Sequence, residues 1–324
     1  MVRGDGRIVI GGRPGSDVAT VHQSAVCAVV VTWRPDLGLL RELLDALSPQ
    51  VGHMVVVDNG TRDPRFHELC SARSDIVLVA SGENHGLAHA INKGIDRARG
   101  LQGVSHVLLM DQDSVPARGM VDALRDALAQ VEANTRVAAV GPCFRDPREP
   151  ERAPFVRIRF PFNKKMRCDG NCKTVPCDFL ISSGCLIPLA VLDDVGGMDG
   201  ALFIDNVDLD WCFRASAAGY TLHGACAAHL RHSLGEARRH VPGLPRDIVV
   251  HSPRRLFYMM RNRVLLYRRA YTPRRWVAQD VLRLLVKFLL FALLVAPRRK
   301  NMRCMLAGLW TGAHGRATPP PGDS

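Results

Sequence analysis

His106-Val-Leu-Leu-Met-Asp-Gln-Asp-Ser114 is the stretch that decides the fold. An apolar run without alternation reads as a strand covered on both faces, and it stops at two carboxylates one residue apart. Three further runs have the same form. Val26-Cys-Ala-Val-Val-Val31 ends at Thr32-Trp33-Arg34-Pro35, Met54-Val-Val-Val57 ends at Asp58-Asn59-Gly60, and Ile76-Val-Leu-Val79 leads to Gly82-Glu83-Asn84. Between them, Leu40, Leu43, Leu44 and Leu47 recur at helical spacing, as do Leu87, Ala90, Ile91 and Ile95. Strands alternating with amphipathic helices predict an α/β fold with a mostly parallel central sheet flanked by helices. Right-handed crossovers place the four strand ends on one edge, where such sheets bind ligands. Thr32 to Pro35, Asp58-Asn59, Asn84 and Asp111 to Asp113 are therefore expected around one cleft.

The chain of 324 residues is long enough for one large α/β domain or two ordinary ones, and 47% hydrophobic with 23% charged residues is globular composition. Ten cysteines at this length are not a disulfide-stapled miniature, and no signal-peptide pattern opens the chain. Reduced thiols in a cytoplasmic protein are the expectation. The net charge of +12 is unevenly spread. Residues 243–324 carry 16 Lys and Arg against three Asp and Glu, while the remainder is close to neutral. A basic C-terminal quarter calls for a polyanionic partner, either nucleic acid or anionic lipid. With 6% aromatics and no nucleic-acid-binding motif, nucleic acid is not expected.

Asp111-Gln112-Asp113-Ser114 at a strand end suits a hard divalent cation shared with substrate phosphates, since Mg²⁺ and Mn²⁺ take oxygen ligands. The alternative is a turn in which Asp113 or Ser114 caps the following helix. Cys168, Cys172, Cys177 and Cys185 lack the paired knuckles of structural zinc and read as reduced structural thiols.

The motifs occur together and in order. Val31-Thr32-Trp33-Arg34-Pro35, Val57-Asp58-Asn59-Gly60, Glu83 to Ala88 with Asn92-Lys93-Gly94, and Asp111 to Ser114 resemble the inverting family 2 glycosyltransferases of the GT-A fold. The likeness is closest to bacterial rhamnosyltransferases that use dTDP-rhamnose. It continues through Ser182-Ser183-Gly184, Gly196 to Asp199, Phe203 to Trp211, Arg214-Ala215, His232 to Gly235 and Tyr258 to Arg263, covering roughly residues 25–270. The resemblance implies a Rossmann-like GT-A catalytic domain over residues 25–240, with a nucleotide-sugar half to about 115 and an acceptor half beyond. Residues 1–24 read as a flexible lead-in, residues 241–324 as a basic helical extension, and the tail from about 315 as disordered.

By the same resemblance, Thr32, Arg34, Asp58, Asn84 and Asp111 hold the donor. Asp113 with His232 binds Mg²⁺ or Mn²⁺, which neutralises the departing diphosphate. Inversion in one displacement needs a general base across from the leaving group. Asp205 best matches that carboxylate, with Asp208 in reserve, because Asp205-Asn206 departs from the consecutive acidic pair of many relatives. Trp211, Gly197 and Asp199 are the acceptor-side candidates, and the alternative for Trp211 is a core position. The implied partners are a dTDP-sugar and a saccharide acceptor, polyprenyl-diphosphate-linked or on a growing surface polysaccharide. A UDP-sugar such as UDP-galactofuranose is the alternative donor, a non-catalytic nucleotide-sugar scaffold the alternative class, and a homo-oligomer is left open.

Val281 to Ala296 is apolar except for Arg283 and Lys287, and too short to span a bilayer. Gln279 or Asp280, Arg283 and Lys287 form one polar stripe, and Arg298-Arg299-Lys300 follow. An amphipathic helix flanked by cations fits the cytoplasmic face of a membrane, gaining about 1 kcal/mol per cation near anionic lipid. Its alternative is a helix packed on the domain.

Overall fold

The computed structural model describes residues 25–168, 170, 172–232, 237–240 and 248–315. The expected lead-in, Ser233 to Gly235 of the quoted motif and the tail beyond 315 lie outside the described residues.

Strands β1 (Val26–Thr32), β2 (His53–Asp58), β3 (Ile76–Ala80) and β4 (His106–Asp111) are parallel and lie in the order β3-β2-β1-β4. All seven residues of β1 are buried, which is why the sequence shows no polar alternation there. Odd and even positions still part company. Val29, Val31, Val55 and Leu109 enter one core, while Val30, Val56, Leu108 and Met110 enter another on the opposite face. Helices α1 (Leu37–Leu47), α2 (Pro64–Ser71) and α3 (Leu87–Arg99) make the crossovers. Asp36 and Asp63 cap the first two, each accepting backbone N–H groups at the helix start. Gly94 lets α3 lie directly on the sheet, since a Cβ there would come within 2.2 Å of Val29 Cγ1.

The second half consists of β5 (Ser114–Pro116), α4 (Met120–Glu132), β6 (Val137–Arg145), β7 (Phe155–Arg157), β8 (Lys164–Met166), β9 (Thr174–Cys177), β10 (Cys185–Pro188), α5 (Leu189–Val195), α6 (Val207–Ala217) and β11 (Thr221–His232). The sheet continues β4-β10-β6-β11-β5, with β9 also on β11. Strand β10 is antiparallel to both β4 and β6, while β6 and β11 are parallel. Ser114 is thus the first residue of an edge strand, and α4 begins after Gly119, so neither Asp113 nor Ser114 caps it.

One expectation is corrected here. Cys168 is not a free thiol: it is disulfide-bonded to Cys226 of β11, 58 residues on. The bond ties the loop after β8 to the sheet, and the other eight cysteines are free, all but Cys172 buried.

After the short pair β12 (Ala237–Arg239) and β13 (Ile248–Val250), three helices close the molecule: α7 (Pro253–Tyr267), α8 (Arg274–Leu293) and α9 (Arg298–His314). Leu266 and Trp276 join the sheet core, while Leu256, Met260, Leu284, Phe291 and Met305 form a separate cluster among the helices. Gly308 and Gly312 bring α9 against the backbone of α7; a Cβ at Gly308 would sit 2.3 Å from the Phe257 carbonyl oxygen. Helix α8 turns its polar stripe inward at Gln279 and Asp280 and leaves Leu282, Leu285, Val286, Leu289 and Leu293 more than half exposed. Among the described residues, no helix is long and apolar enough to cross a membrane.

Candidate active site

The carboxyl ends of β1, β2 and β4 open into a cleft of about 420 Å³. Trp33, Asn59, Asn84, Asp111, Gln112, Asp113 and His232 line one side, and Phe203 to Asp208 and Arg255 line the other. The floor is tied together by side-chain amides. Gln112 accepts the Trp33 N–H at 2.7 Å and donates to the Trp33 carbonyl at 3.2 Å, locking β1 to β4. Asn59 donates to Asn84 Oδ1 at 3.0 Å and accepts the His85 N–H at 3.0 Å.

The donor-side candidates differ in what they present. Thr32 and Asp58 turn inward: the Thr32 hydroxyl donates to the Val57 carbonyl, and Asp58 Oδ1 accepts the Thr61 N–H at 2.7 Å. Both are almost fully buried, so their visible work is to shape the turns. Arg34 has φ +49° and is pinned through its N–H to Thr61 Oγ1. The Arg34 guanidinium lies over the Trp33 ring at 5.2 Å.

Asp111, Asp113 and His232 converge, with one ligand atom from each lying within 4.8 Å of the others. A hydroxyl chain holds the histidine ring. Ser183 accepts the Asp111 N–H at 3.2 Å and donates to Ser114 at 2.6 Å, and the Ser114 hydroxyl shares a hydrogen bond of 2.7 Å with His232 Nδ1. Burial, and secondarily the like charge of Asp113, push the Asp111 carboxyl above its ordinary range, while His232 opposes the rise. Two hard oxygens and an imidazole, with like charges crowded together, suit a divalent cation.

The opposite wall is a strained loop. Phe203, Asp205 and Asn206 all have φ near +60°, a conformation that costs a non-glycine residue about 1–3 kcal/mol. The loop persists because α7 holds it. One amide, Asn262 Nδ2, donates to the carbonyls of Leu202, Ile204 and Asp205 at 2.8, 2.7 and 2.9 Å. Tyr258 stacks on Phe203 with centroids 4.7 Å apart, and Phe203 in turn closes against Gly86 at the start of α3.

The two carboxylates this loop carries are unlike. Asp205 is gripped by Arg255, whose Nε lies 3.2 and 3.1 Å from the two carboxylate oxygens and whose Nη2 lies 3.0 Å from Oδ1. Asp208, at the first turn of α6, has its carboxyl pushed up to about 6, by burial first and then by Asp111 and Asp205.

Three acceptor-side candidates lie apart from this cleft, which corrects the expectation for them. Trp211 is 1% exposed and donates its indole N–H to the Gly196 carbonyl, because α6 turns that face into the core; it is not a sugar platform. Asp199 is ion-paired with Arg269, and the Gly197 carbonyl accepts from Arg214 at 2.6 Å. These residues belong to a network around buried Asp210, which also receives Arg214, Arg269 and Tyr271. Residues whose contacts were not foreseen from sequence are Gln112, Asn59, Ser114, Ser183, Asn262 and Arg255, although Asn59 and Gln112 were expected beside the cleft. The first five lie inside quoted motifs, whereas nothing in the sequence marks Arg255 apart from the surrounding cations.

A mixed sheet of this order, with an acidic turn after β4 and a second acidic loop facing it, is the GT-A architecture. Residues 27–192 match the family model described as Glycosyl transferase family 2. The chain is 31% identical over 251 residues to the dTDP-rhamnosyl transferase RfbF of Shigella flexneri, covering 77% of this chain and 82% of that protein. Among solved structures, GalNAc-T7 with UDP, GalNAc and Mn²⁺ superposes with a TM-score of 0.57 at 11% identity, covering 80% of this chain and 51% of that one. Staphylococcus aureus TarS gives 0.54 at 13% identity, covering 91% and 49%. The chain therefore spans about half the length of these two solved proteins. It belongs to glycosyl transferase family 2, and it is a glycosyltransferase.

Proposed function

We propose that this enzyme transfers L-rhamnose from dTDP-L-rhamnose, with inversion, to a lipid-linked or growing cell-surface polysaccharide. The observation that carries the reading is that one cleft holds Asp111, Asp113 and His232 on one wall and Asp205 and Asp208 on the other. A single displacement needs those two chemistries facing each other across the anomeric carbon. The named sugar rests on the likeness to the RfbF rhamnosyl transferase.

Asp111, Asp113 and His232 would hold Mg²⁺ or Mn²⁺. A dication bound there supplies Lewis-acid stabilisation of the departing diphosphate. The turns carrying Thr32, Arg34, Asp58 and Asn84 frame the nucleotide, with the exposed Trp33 ring as the nearest apolar surface.

The general base is assigned to Asp208, ahead of Asp205. A carboxylate that shares its lone pairs with a guanidinium is a poor proton acceptor, and Arg255 contacts both oxygens of Asp205. A carboxyl at about 6 is ionised at neutral pH yet basic enough to take an alcohol proton in the transition state. Asp205 with Arg255 then fixes the loop and faces the acceptor.

The catalytic unit of residues 25–240 carries the carboxylates and His232, while the helical extension from 241 contributes Arg255 and docks on the inner face of the cell membrane. Support comes from α8, whose exposed leucines lie between Arg274 and Arg275 at one end and Arg298 to Lys300 at the other.

The deciding experiment offers purified protein a panel of nucleotide sugars with Mg²⁺ or Mn²⁺ and scores nucleotide release. dTDP-rhamnose turnover that vanishes in Asp208→Asn but leaves dTDP affinity intact supports the reading. Release from a UDP-sugar alone replaces the donor, and binding without turnover on any donor leaves a scaffold.

A further inference from the structure

Behind the Asp205–Arg255 clamp, the inward faces of α7 and α8 bring Arg263, Asp280 and Lys287 together. Arg263 Nε binds Asp280 at 2.8 Å, and Tyr267 donates to the same oxygen at 2.7 Å. Among the described residues, Nη1 of Arg263 is buried with no hydrogen-bond partner, as is Nδ1 of His251. Lys287, one turn from Arg283 along α8, is the unbalanced group. The contacts of its ammonium are the thioether of Met259 at 3.9 Å and the Phe291 ring at 5.9 Å, neither of which is an anion. Burial, with Arg263 and Arg255 nearby, lowers its pKa to about 8, while Asp205 and Asp280 oppose the fall. Leaving a buried ammonium without an anion is costly, and so is leaving a guanidinium nitrogen unpaired. Of these groups Arg255 lines the cleft, and on the outer side of α8 lie Val286 and Leu289.

We propose that His251, Arg255, Arg263 and Lys287 form a second anion site, which seats the phosphate or diphosphate of a polyprenyl-linked acceptor beside Asp205. The inference rests on the glycosyl-transfer reading above and adds the acceptor's anchoring group to it. An orphaned guanidinium nitrogen and an ammonium without an anion among the described residues fit an oxyanion with several acceptor oxygens, and the neutral His251 ring adds one donor in the matching tautomer, whereas a neutral sugar would leave the charge uncompensated. The hydrocarbon that follows such a phosphate would find the exposed leucine face of α8, and the sugar at its other end would face the cleft.

The test uses full-length protein with farnesyl diphosphate as probe, farnesol as the uncharged control, dTDP as the donor-site control and phosphatidylglycerol vesicles as the alternative phosphate source. Lys287→Met keeps volume and removes the charge; Lys287→Arg keeps it. The expected result is that Lys287→Met weakens farnesyl diphosphate binding about tenfold, with farnesol and dTDP unaffected and Lys287→Arg close to wild type. Lys287→Met should also unfold at a higher temperature than wild type without probe, because an uncompensated buried charge is gone; a purely structural lysine would give the opposite sign. Equal affinity of wild type and Lys287→Met for farnesyl diphosphate overturns the site. Wild type that binds dTDP but not farnesyl diphosphate overturns it while leaving the transferase reading intact; binding neither sinks that reading as well. Loss of vesicle binding in Lys287→Met, with farnesyl diphosphate affinity unchanged, assigns the phosphate to bilayer lipid and overturns the acceptor assignment.

Discussion

The parallel edge of the sheet and the layer of three C-terminal helices are built on opposite plans. In the first, three strands are buried on both sides and the edge strand β3 partly so, and the acidic groups sit at the carboxyl ends. In the second, the polar stripe of α8 faces inward, and leucines and Trp310 face out. The sheet edge carries the acidic turn of Asp111 and Asp113, yet the loop opposite takes its shape from the helices. Asn262, Tyr258 and Arg255 of α7 hold residues 203 to 205 in a backbone conformation they would not adopt alone. A Rossmann-like sheet thus provides half of the candidate site, and the basic extension provides the restraint on the other half.

That division breaks most visibly in the chemistry. Asp208→Asn should lower turnover by roughly a thousandfold with dTDP affinity unchanged, and Asp205→Asn by far less, both read by nucleotide release. If Asp205→Asn proves the more damaging, the base belongs to the clamp. In wild type the acid limb of the rate profile should fall by half near pH 6, since protonating Asp208 removes the base. Asn262→Ala is next: three carbonyls lose their donor, and the expected outcome is a roughly tenfold lower rate together with about 1–3 kcal/mol less stability in urea unfolding. An unchanged rate would show that the helices do not restrain the loop. Leu285→Asp with Leu289→Asp should weaken sedimentation with anionic vesicles about tenfold while leaving transfer to a soluble acceptor untouched.

The smallest effect is on stability against pH. Lys287 has a folded pKa lowered to about 8 from 10.5, so the unfolded chain binds more protons between those values. Its burden is fully present below pH 8 and is relieved as pH rises to 10.5. The groups around it are Arg255, Arg263, His251, Asp205 and Asp280. Subtracting the unfolding free energy of Lys287→Met should isolate a contribution that rises across that window; a flat difference would place the ammonium in water.

What was legible followed from burial. Residues 26–31, 54–57, 76–79 and 106–110 read as strands because a sheet covered on both faces leaves a continuous apolar run. The acidic turn was legible because it interrupts such a run. The insertion of antiparallel β10 between β4 and β6 was not, because strand order past the fourth strand depends on pairing between distant segments. Trp211 stood open between an acceptor platform and the core, and only the helix phase reveals that it points at Gly196. Cys168 and Cys226 have no local spacing to pair them; the route of the loop after β8 brings them together. Arg255 was one cation among sixteen, distinguished solely by what it touches.

Gly308 and Gly312 press α9 onto the very helix that grips the strained loop, with no room for a side chain between the two backbones. An added methyl at either position would wedge α7 outward and slacken Asn262 and Arg255 together. Damage some fifty residues downstream in sequence would then register as a catalytic lesion. A shortened or alanine-bearing C-terminus should accordingly be assayed for misalignment of the reactive carboxylates before its weakened activity is ascribed to lost anchorage.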